Sequence, residues 1–274
     1  MKIDSNLKQE YESTGMVAQS FELANTNLIP ALRKDGALFQ KAIQTLRGDG
    51  HFRVPYIFTE AIASVAGDET LVKVIEAVLG ENTPWVVWGP NIQQGTPNEA
   101  DKWHVDIESW HWSTITVMIG LKNCNDKNTT RCIPYSHKLD LLPWSRADNS
   151  DDQCVQKAAQ SLDPRCSSID TFKNFQPGSF YLFDAKSWHC GPALSMFQDR
   201  EMLILHYQRA DDPRIPYMYD YEKRLWFDQP AVYLEKPHLS QQASQHSGNL
   251  MSSIDQKRFR TDLCPLPRNH QYSR

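Results

Sequence analysis

The sequence predicts a mainly β protein with added helices, in which a helical layer packs on one face of a β core. Three observations carry this. From Ala37 to Pro84 the apolar residues recur at helical spacing, and after it they fall into short runs rich in β-branched and aromatic residues. Turn residues separate those runs, which argues for a sandwich or barrel rather than alternating βαβ units. Helices first and strands after place the helices on one side of the core. At 274 residues the chain reads as a single domain, 1–274. It divides into a helical layer at 1–83, a β core at 84–210 with an insertion at 138–171, and a C-terminal cover and polar tail at 211–274.

Residues 1–35 are polar with a broken apolar pattern, and Pro30 is expected to interrupt any continuous helix. From Ala37 to Leu46 the positions Leu38, Phe39, Ala42, Ile43 and Leu46 trace a helical stripe that Gly48 and Gly50 end. Two shorter helices come next, Thr59–Val65 and Thr70–Leu79, on either side of a Gly67-Asp68 turn. The stripe Leu71, Val74, Ile75 and Val78 marks a face turned to the core. The β-rich runs are Trp85–Trp88, Trp103–Glu108, Ser113–Leu121, Arg131–Pro134, Ser179–Phe183 and Met202–Gln208. The polar insertion at 138–171 breaks their rhythm; a segment of that length between strands is usually a lid, a binding loop or a mobile stretch. Arg209–Pro237 is rich in Tyr, Trp and Pro and is expected to fold as a helix-containing cover over a barrel edge, while Ser240–Ser253 and the basic tail have the composition of partial disorder.

Composition excludes several function classes. Hydrophobic content of 40% and charged content of 23% are those of an ordinary globular protein. A net charge of −4 without a Lys/Arg stripe leaves no footprint for nucleic acid. No apolar run approaches the ~18 residues that span a bilayer, so no membrane partner is expected. The N-terminus lacks the apolar core of a signal peptide, so the expected location is the cytoplasm. Six scattered cysteines with no C-x-x-C pair fit reduced thiols better than a disulfide framework or a zinc site.

The stretch richest in chemistry is Trp103-His104-Val105-Asp106-Ile107-Glu108-Ser109-Trp110-His111-Trp112. On a strand, residues two apart share a face about 6.5–7 Å apart, so the His104 imidazole and the Asp106 carboxylate can meet on one metal ion. A lone His-x-Asp is common on solvated strands; here two residues far downstream give it weight. Pro177-Gly178 launches an apolar strand, and His189 stands just beyond that strand's end, 85 residues after His104. Arg200 comes 11 residues later and opens the apolar strand Met202-Leu203-Ile204-Leu205.

His104-x-Asp106, His189 and Arg200 together resemble the phytanoyl-CoA dioxygenase-like branch of the Fe(II)/2-oxoglutarate-dependent oxygenases. Ile133-Pro134-Tyr135-Ser136-His137-Lys138 resembles the branch's I/V-P-G-S-H-K signature, with Tyr135 in place of Gly. Trp103–His111 is similar to the Trp-His-x-Asp-x-Glu-x-Trp-His block of the ectoine hydroxylases. The resemblance covers about residues 85–210. The branch usually carries Asn five residues after the distal histidine, where this chain has Leu194.

The resemblance implies a double-stranded β-helix (jelly-roll, cupin-like) core and an Fe(II) site of His104, Asp106 and His189. Two imidazoles and one carboxylate on one face of the ion leave three positions open, two for 2-oxoglutarate and one for O2. Arg200 would anchor the far carboxylate of 2-oxoglutarate, because a guanidinium is always charged and pairs bidentately with it, with a surface ion pair to Asp199 or Glu201 as the alternative. Gln93 is a further candidate for co-substrate contact. Glu108, Trp110, His111 and Trp112 are expected to line the substrate pocket, with core packing as the alternative for Trp112. His111, His137 and His206 are competing ligand candidates, of which His137 and His206 fit hydrogen-bonded structural roles better. In related halogenases a small residue replaces the carboxylate, so Asp106 favours hydroxylation.

The activity implied is hydroxylation of an unactivated C–H bond in a small polar metabolite. Natural-product biosynthesis suits it, tailoring of a cyanobacterial alkaloid toxin being one case. Two alternatives stay open: a cupin-like metal enzyme that does not use 2-oxoglutarate, and a non-catalytic jelly-roll binding protein. Homo-oligomerisation is open as well.

Overall fold

The computed structural model describes residues 6–47, 59–80, 83, 85–94, 103–106, 114–139, 151–192, 200–209, 218–220, 225–227 and 233–235. Its centre is a sheet of six antiparallel strands: β1 (Met16–Glu22), β2 (Trp85–Gln94), β3 (Thr114–Lys122), β6 (Ser179–Asp184), β8 (Glu201–Arg209) and β11 (Tyr233–Glu235). Their order is β1-β6-β3-β8-β2-β11. A small second sheet has the order β5-β4-β7, from β4 (Arg131–Cys132), β5 (Asp170–Thr171) and β7 (His189–Cys190). A two-stranded ribbon pairs β9 (Met218–Asp220) with β10 (Leu225–Phe227). The fold is the jelly roll that the sequence resemblance implies.

Both faces of the large sheet are buried, which is why its strands read as apolar runs rather than as strict alternation. Ile115, Val117 and Ile119 of β3, Leu203, Leu205 and Tyr207 of β8, and Phe180 and Leu182 of β6 join one core with the helices. Met118, Tyr181, Phe183 and Met202 point the other way, into the barrel, and pack with Phe172, Phe175 and Cys132. In that interior row Thr116 stands opposite Phe183 on one side and His206 on the other.

The helical layer is α1 (Leu7–Thr14), α2 (Ile29–Arg47), α3 (Glu60–Ala66) and α4 (Glu69–Leu79). The stripe Leu71, Val74, Ile75 and Val78 of α4 is buried as expected. Asp68 caps α4, accepting the N–H groups of Thr70 (3.0 Å) and Leu71 (3.2 Å). The same carboxylate accepts the N–H groups of Ala24 (3.0 Å) and Asn25 (2.9 Å), tying α4 to the end of β1.

Four expectations are corrected. The described residues of the C-terminal cover form strands and not a helix: β9 and β10 pair as a ribbon, and β11 extends the large sheet beside β2. Residues 1–35 hold α1 and the edge strand β1, whose half-buried pattern escapes a search for apolar runs. Pro30 does not interrupt a helix; it is the second residue of α2, where the missing N–H has no intrahelical partner to lose. The strand begun at Trp85 does not stop at Trp88. It passes Gly89-Pro90 with a register shift between Trp88 and Asn91 and runs on to Gln94. Midway along α2, a Cβ on Gly36 would come within 2.8 Å of the Ile92 side chain, so glycine there lets the helix lie close on β2.

Candidate metal centre

His104 and Asp106 lie between β2 and β3, and His189 opens β7 at the end of a turn that leaves β6. His104 is not part of a regular strand. It forms a single antiparallel bridge with His189, each residue's N–H donating to the other's carbonyl at 2.9 Å. The Asp106 N–H donates to the Ala185 carbonyl at 2.8 Å. The β6–β7 turn therefore holds the backbone on which both His104 and Asp106 sit.

One potential ligand atom from each of His104, Asp106 and His189 lies within 4.8 Å of the other two, a donor set able to hold a metal ion. Asp106 Oδ1 is 3.7 Å from His104 Nε2 and 3.4 Å from His189 Nε2. The imidazole rings are 4.3 Å apart, and the Phe183 ring lies 4.7 Å from that of His189. His189 Nδ1 meets the Ser187 carbonyl at 2.9 Å, so that nitrogen carries the proton and Nε2 is left to face Asp106. The second carboxylate oxygen is held separately: Thr116 Oγ1 donates to Asp106 Oδ2 at 2.9 Å, with His206 Nε2 3.8 Å away. Loss of surrounding water works to raise the Asp106 carboxyl. When protonated, His189 and His206 outweigh it through their charge and hydrogen bonds and hold the carboxyl well below its usual range.

Arg200 is buried where β8 begins, on the interior row, and donates from Nη1 to the Asn128 carbonyl. Its charge acts on Tyr181 and Cys124. Burial pushes the Tyr181 phenol up to about 12, against the pull of Arg200. Tyr181 is stacked on Phe172 at 4.0 Å and hydrogen-bonded to Thr130 Oγ1 at 2.8 Å. Gln93 is half-buried on β2 opposite Met202, so it too belongs to the interior row, toward the Arg200 end. Glu108, Trp110, His111 and Trp112 lie outside the described residues.

Thr116 and His206 are the residues around Asp106 that sequence reasoning leaves aside or treats as structural. His137 is distant in role: its partly buried ring lies against Gly15, the left-handed C-cap of α1 at φ 78°, and burial lowers it to about 4. Tyr135 takes φ 70°, the conformation for which the signature's glycine is suited, and its ring lies 5.2 Å from the Arg165 guanidinium. The five described cysteines are free. No described helix is long and apolar enough to cross a membrane.

A jelly roll with a His-Asp-His cluster on its inner side presents a donor set that fits a metal ion. The sequence model of phytanoyl-CoA dioxygenase (PhyH) matches residues 33–200, more than half of the chain. The protein belongs to the phytanoyl-CoA dioxygenase family, a family of oxygenases. No individually curated protein matches it in sequence.

Among solved structures, EvdO2 from Micromonospora carbonacea var. aurantiaca shares the fold at 18% identity and TM-score 0.52, over 77% of this chain and 92% of that one. EctD from S. alaskensis, in its apoform, does so at 18% identity and TM-score 0.50, over 77% and 78%. The epimerase SnoN, in complex with Fe3+, alpha ketoglutarate and nogalamycin RO, matches at 12% identity and TM-score 0.50, over 75% and 83%.

Proposed function

We propose that the protein is an Fe(II)/2-oxoglutarate-dependent dioxygenase that hydroxylates an unactivated C–H bond of a small polar metabolite in natural-product biosynthesis. The observation that supports this best is the convergence of His104, Asp106 and His189, from two distant parts of the chain, to within 4.8 Å. The donor set fits the ion. Two imidazole nitrogens and one carboxylate oxygen suit ferrous iron and leave positions for a chelating co-substrate and O2. When bound, iron with 2-oxoglutarate and O2 supplies an oxidant able to take hydrogen from carbon and return hydroxyl, with succinate and CO2 as co-products.

The chain's own part is positioning. Thr116 occupies Asp106 Oδ2, so Oδ1 is the oxygen turned to the histidines. The Ser187 carbonyl fixes the tautomer and tilt of His189. Arg200 offers a buried guanidinium on the same interior row, where a diacid's remote carboxylate can pair with it. Tyr181, Phe183 and Met118 keep water from the space between. Gln93 is proposed to touch the co-substrate, and Glu108, Trp110, His111 and Trp112 to shape the substrate pocket. SnoN, which shares the fold, was solved with iron and alpha ketoglutarate, and the same pair is proposed for this chain.

The test is anaerobic loading with Fe(II) and 2-oxoglutarate, followed by O2 and a panel of small polar metabolites. The expected result is succinate formation stimulated by one substrate class, with a mass gain of one oxygen on that substrate. Metal-dependent turnover without succinate would instead favour a cupin-like enzyme that does not use 2-oxoglutarate. Absence of Fe(II) binding would leave a jelly-roll binding protein.

A further inference from the structure

Behind the cluster lies a side-chain network that the proposed chemistry does not itself use. Asp152 is in the first turn of α5 (Asp152–Leu162), the helix inside the insertion. Its Oδ1 accepts the Trp103 indole N–H at 3.0 Å, and its Oδ2 accepts Arg131 Nη1. The same guanidinium donates from Nε to the Gly191 carbonyl at 2.9 Å and from Nη2 to the Cys190 thiol at 3.1 Å. It also lies over the Trp103 ring, 5.6 Å from the centroid. Trp103 is the neighbour of His104, and Cys190 and Gly191 directly follow His189. The apolar face of α5 extends the contact, as Val155 and Ala159 pack with Trp103, Trp188 and Cys190 in one buried cluster. One helix of the insertion thus bears on the chain immediately beside both histidines.

We infer that Arg131, Asp152 and Trp103 form a clamp that positions His104 and His189, so that docking of α5 and metal binding favour one another. The physical basis is reciprocity. If the clamped arrangement holds the two imidazoles at metal-binding separation, an ion bound there must stabilise the clamp by the same free energy. Arg131 suits the task because its planar fork reaches a carboxylate, a carbonyl and a thiol at once, which a lysine cannot do. Arg131 and Asp152 are positioning residues, since neither is among the donors themselves. The inference rests on the metal-binding reading above, deepens it, and gives the insertion a structural duty at the metal centre.

The experiment uses the full-length protein and Co(II) alone as the probe ion. Co(II) affinity is titrated for the wild type, Asp152→Asn, Trp103→Phe and His189→Ala, and backbone hydrogen exchange across 152–162 is followed with and without Co(II). Asp152→Asn keeps an acceptor for Trp103 but removes the charge facing Arg131; Trp103→Phe keeps an aromatic ring and removes the indole donor. The expected result is about 10-fold or more weaker Co(II) binding in Asp152→Asn. Cobalt should slow exchange of α5 in the wild type and lose that effect in the variant. A lower melting temperature with unchanged Co(II) affinity overturns the clamp, as does α5 exchange that ignores cobalt. Should Asp152→Asn fail to fold, Trp103→Phe decides by the same criteria, with a smaller loss expected. A wild type that binds no Co(II), or a His189→Ala protein that binds it as well, overturns the metal reading and the clamp together. Normal wild-type binding lost in His189→Ala but intact in both clamp variants overturns the clamp alone.

Discussion

His104 and His189 donate backbone N–H groups to each other's carbonyls, both at 2.9 Å, so two residues 85 positions apart are locked as a single antiparallel bridge. The bridge is a property of the main chain and outlasts removal of either side chain. His104→Ala and His189→Ala should therefore keep the fold, with melting temperatures within a few degrees of the wild type. Each should lose metal-dependent turnover by at least about 100-fold. Metal titration alongside thermal unfolding checks both halves; large loss of stability with metal binding retained would contradict them.

Thr116 is the sole described hydroxyl donating to Asp106, through Oδ2. Thr116→Val keeps the shape and removes the donor, freeing Oδ2 to compete with Oδ1. Metal affinity should fall about 10-fold, in the range seen when partners of metal ligands are removed. Thr116→Ser should recover most of it.

Arg200 sits buried, with its charge set near Tyr181 rather than in solvent. Arg200→Lys keeps the charge but loses the fork, and should raise KM for 2-oxoglutarate about 10-fold or more while leaving metal affinity unchanged. Equal loss of metal binding would mean that Arg200 supports the barrel rather than the co-substrate.

Asp68 accepts four backbone N–H groups, two from the first turn of α4 and two from the chain just after β1. Asp68→Ala leaves all four without that acceptor and should cost about 2–4 kcal/mol by chemical denaturation. Asp68→Asn, which keeps one acceptor oxygen, should cost less.

Asp184 gives the pH prediction. Burial pushes its carboxyl from 3.8 to about 6, against the pull of the Lys186 N–H and charge and of the Tyr11 hydroxyl. Between those two values the folded state therefore holds a proton that the unfolded chain has released. That contribution is present in full below about pH 4 and is lost as pH rises through 6. Asp184→Asn removes the effect. Its stability relative to wild type should rise by roughly 2–3 kcal/mol between about pH 4 and 7, because each tenfold difference in proton affinity between the two states is worth ~1.4 kcal/mol. A constant difference across that range would contradict a proton held by Asp184 in the folded protein.

The α4 stripe and most of the β-rich runs are legible in the sequence because each rests on spacing along the chain, and so is the pairing of His104 with Asp106 two residues on; that His189 joins them follows from the family resemblance and not from spacing. The features that escape it depend on contacts between distant segments. The edge strand β1 is only half-buried, and α1 buries just Leu7 and Tyr11, too few to show a period. In α5 the buried residues are Val155 and Ala159, a single i, i+4 pair inside a polar stretch. Thr116 and His206 are hidden for the opposite reason. Burial on both faces makes β3 and β8 look uniformly apolar, although Thr116 and Met118 alternating with Ile115, Val117 and Ile119 does separate the faces.

Because β8 carries helix-facing Leu203, Leu205 and Tyr207 in alternation with Met202 and His206, its two sets of side chains are interchangeable only by slippage. A shift of one residue would drive a tyrosine and two leucines into the reaction chamber and strand the imidazole among aliphatic neighbours. Insertions or deletions within β8 should thus be far more damaging than almost any point change there. The strand's reading frame, more than the identity of each residue on it, is what the chemistry requires.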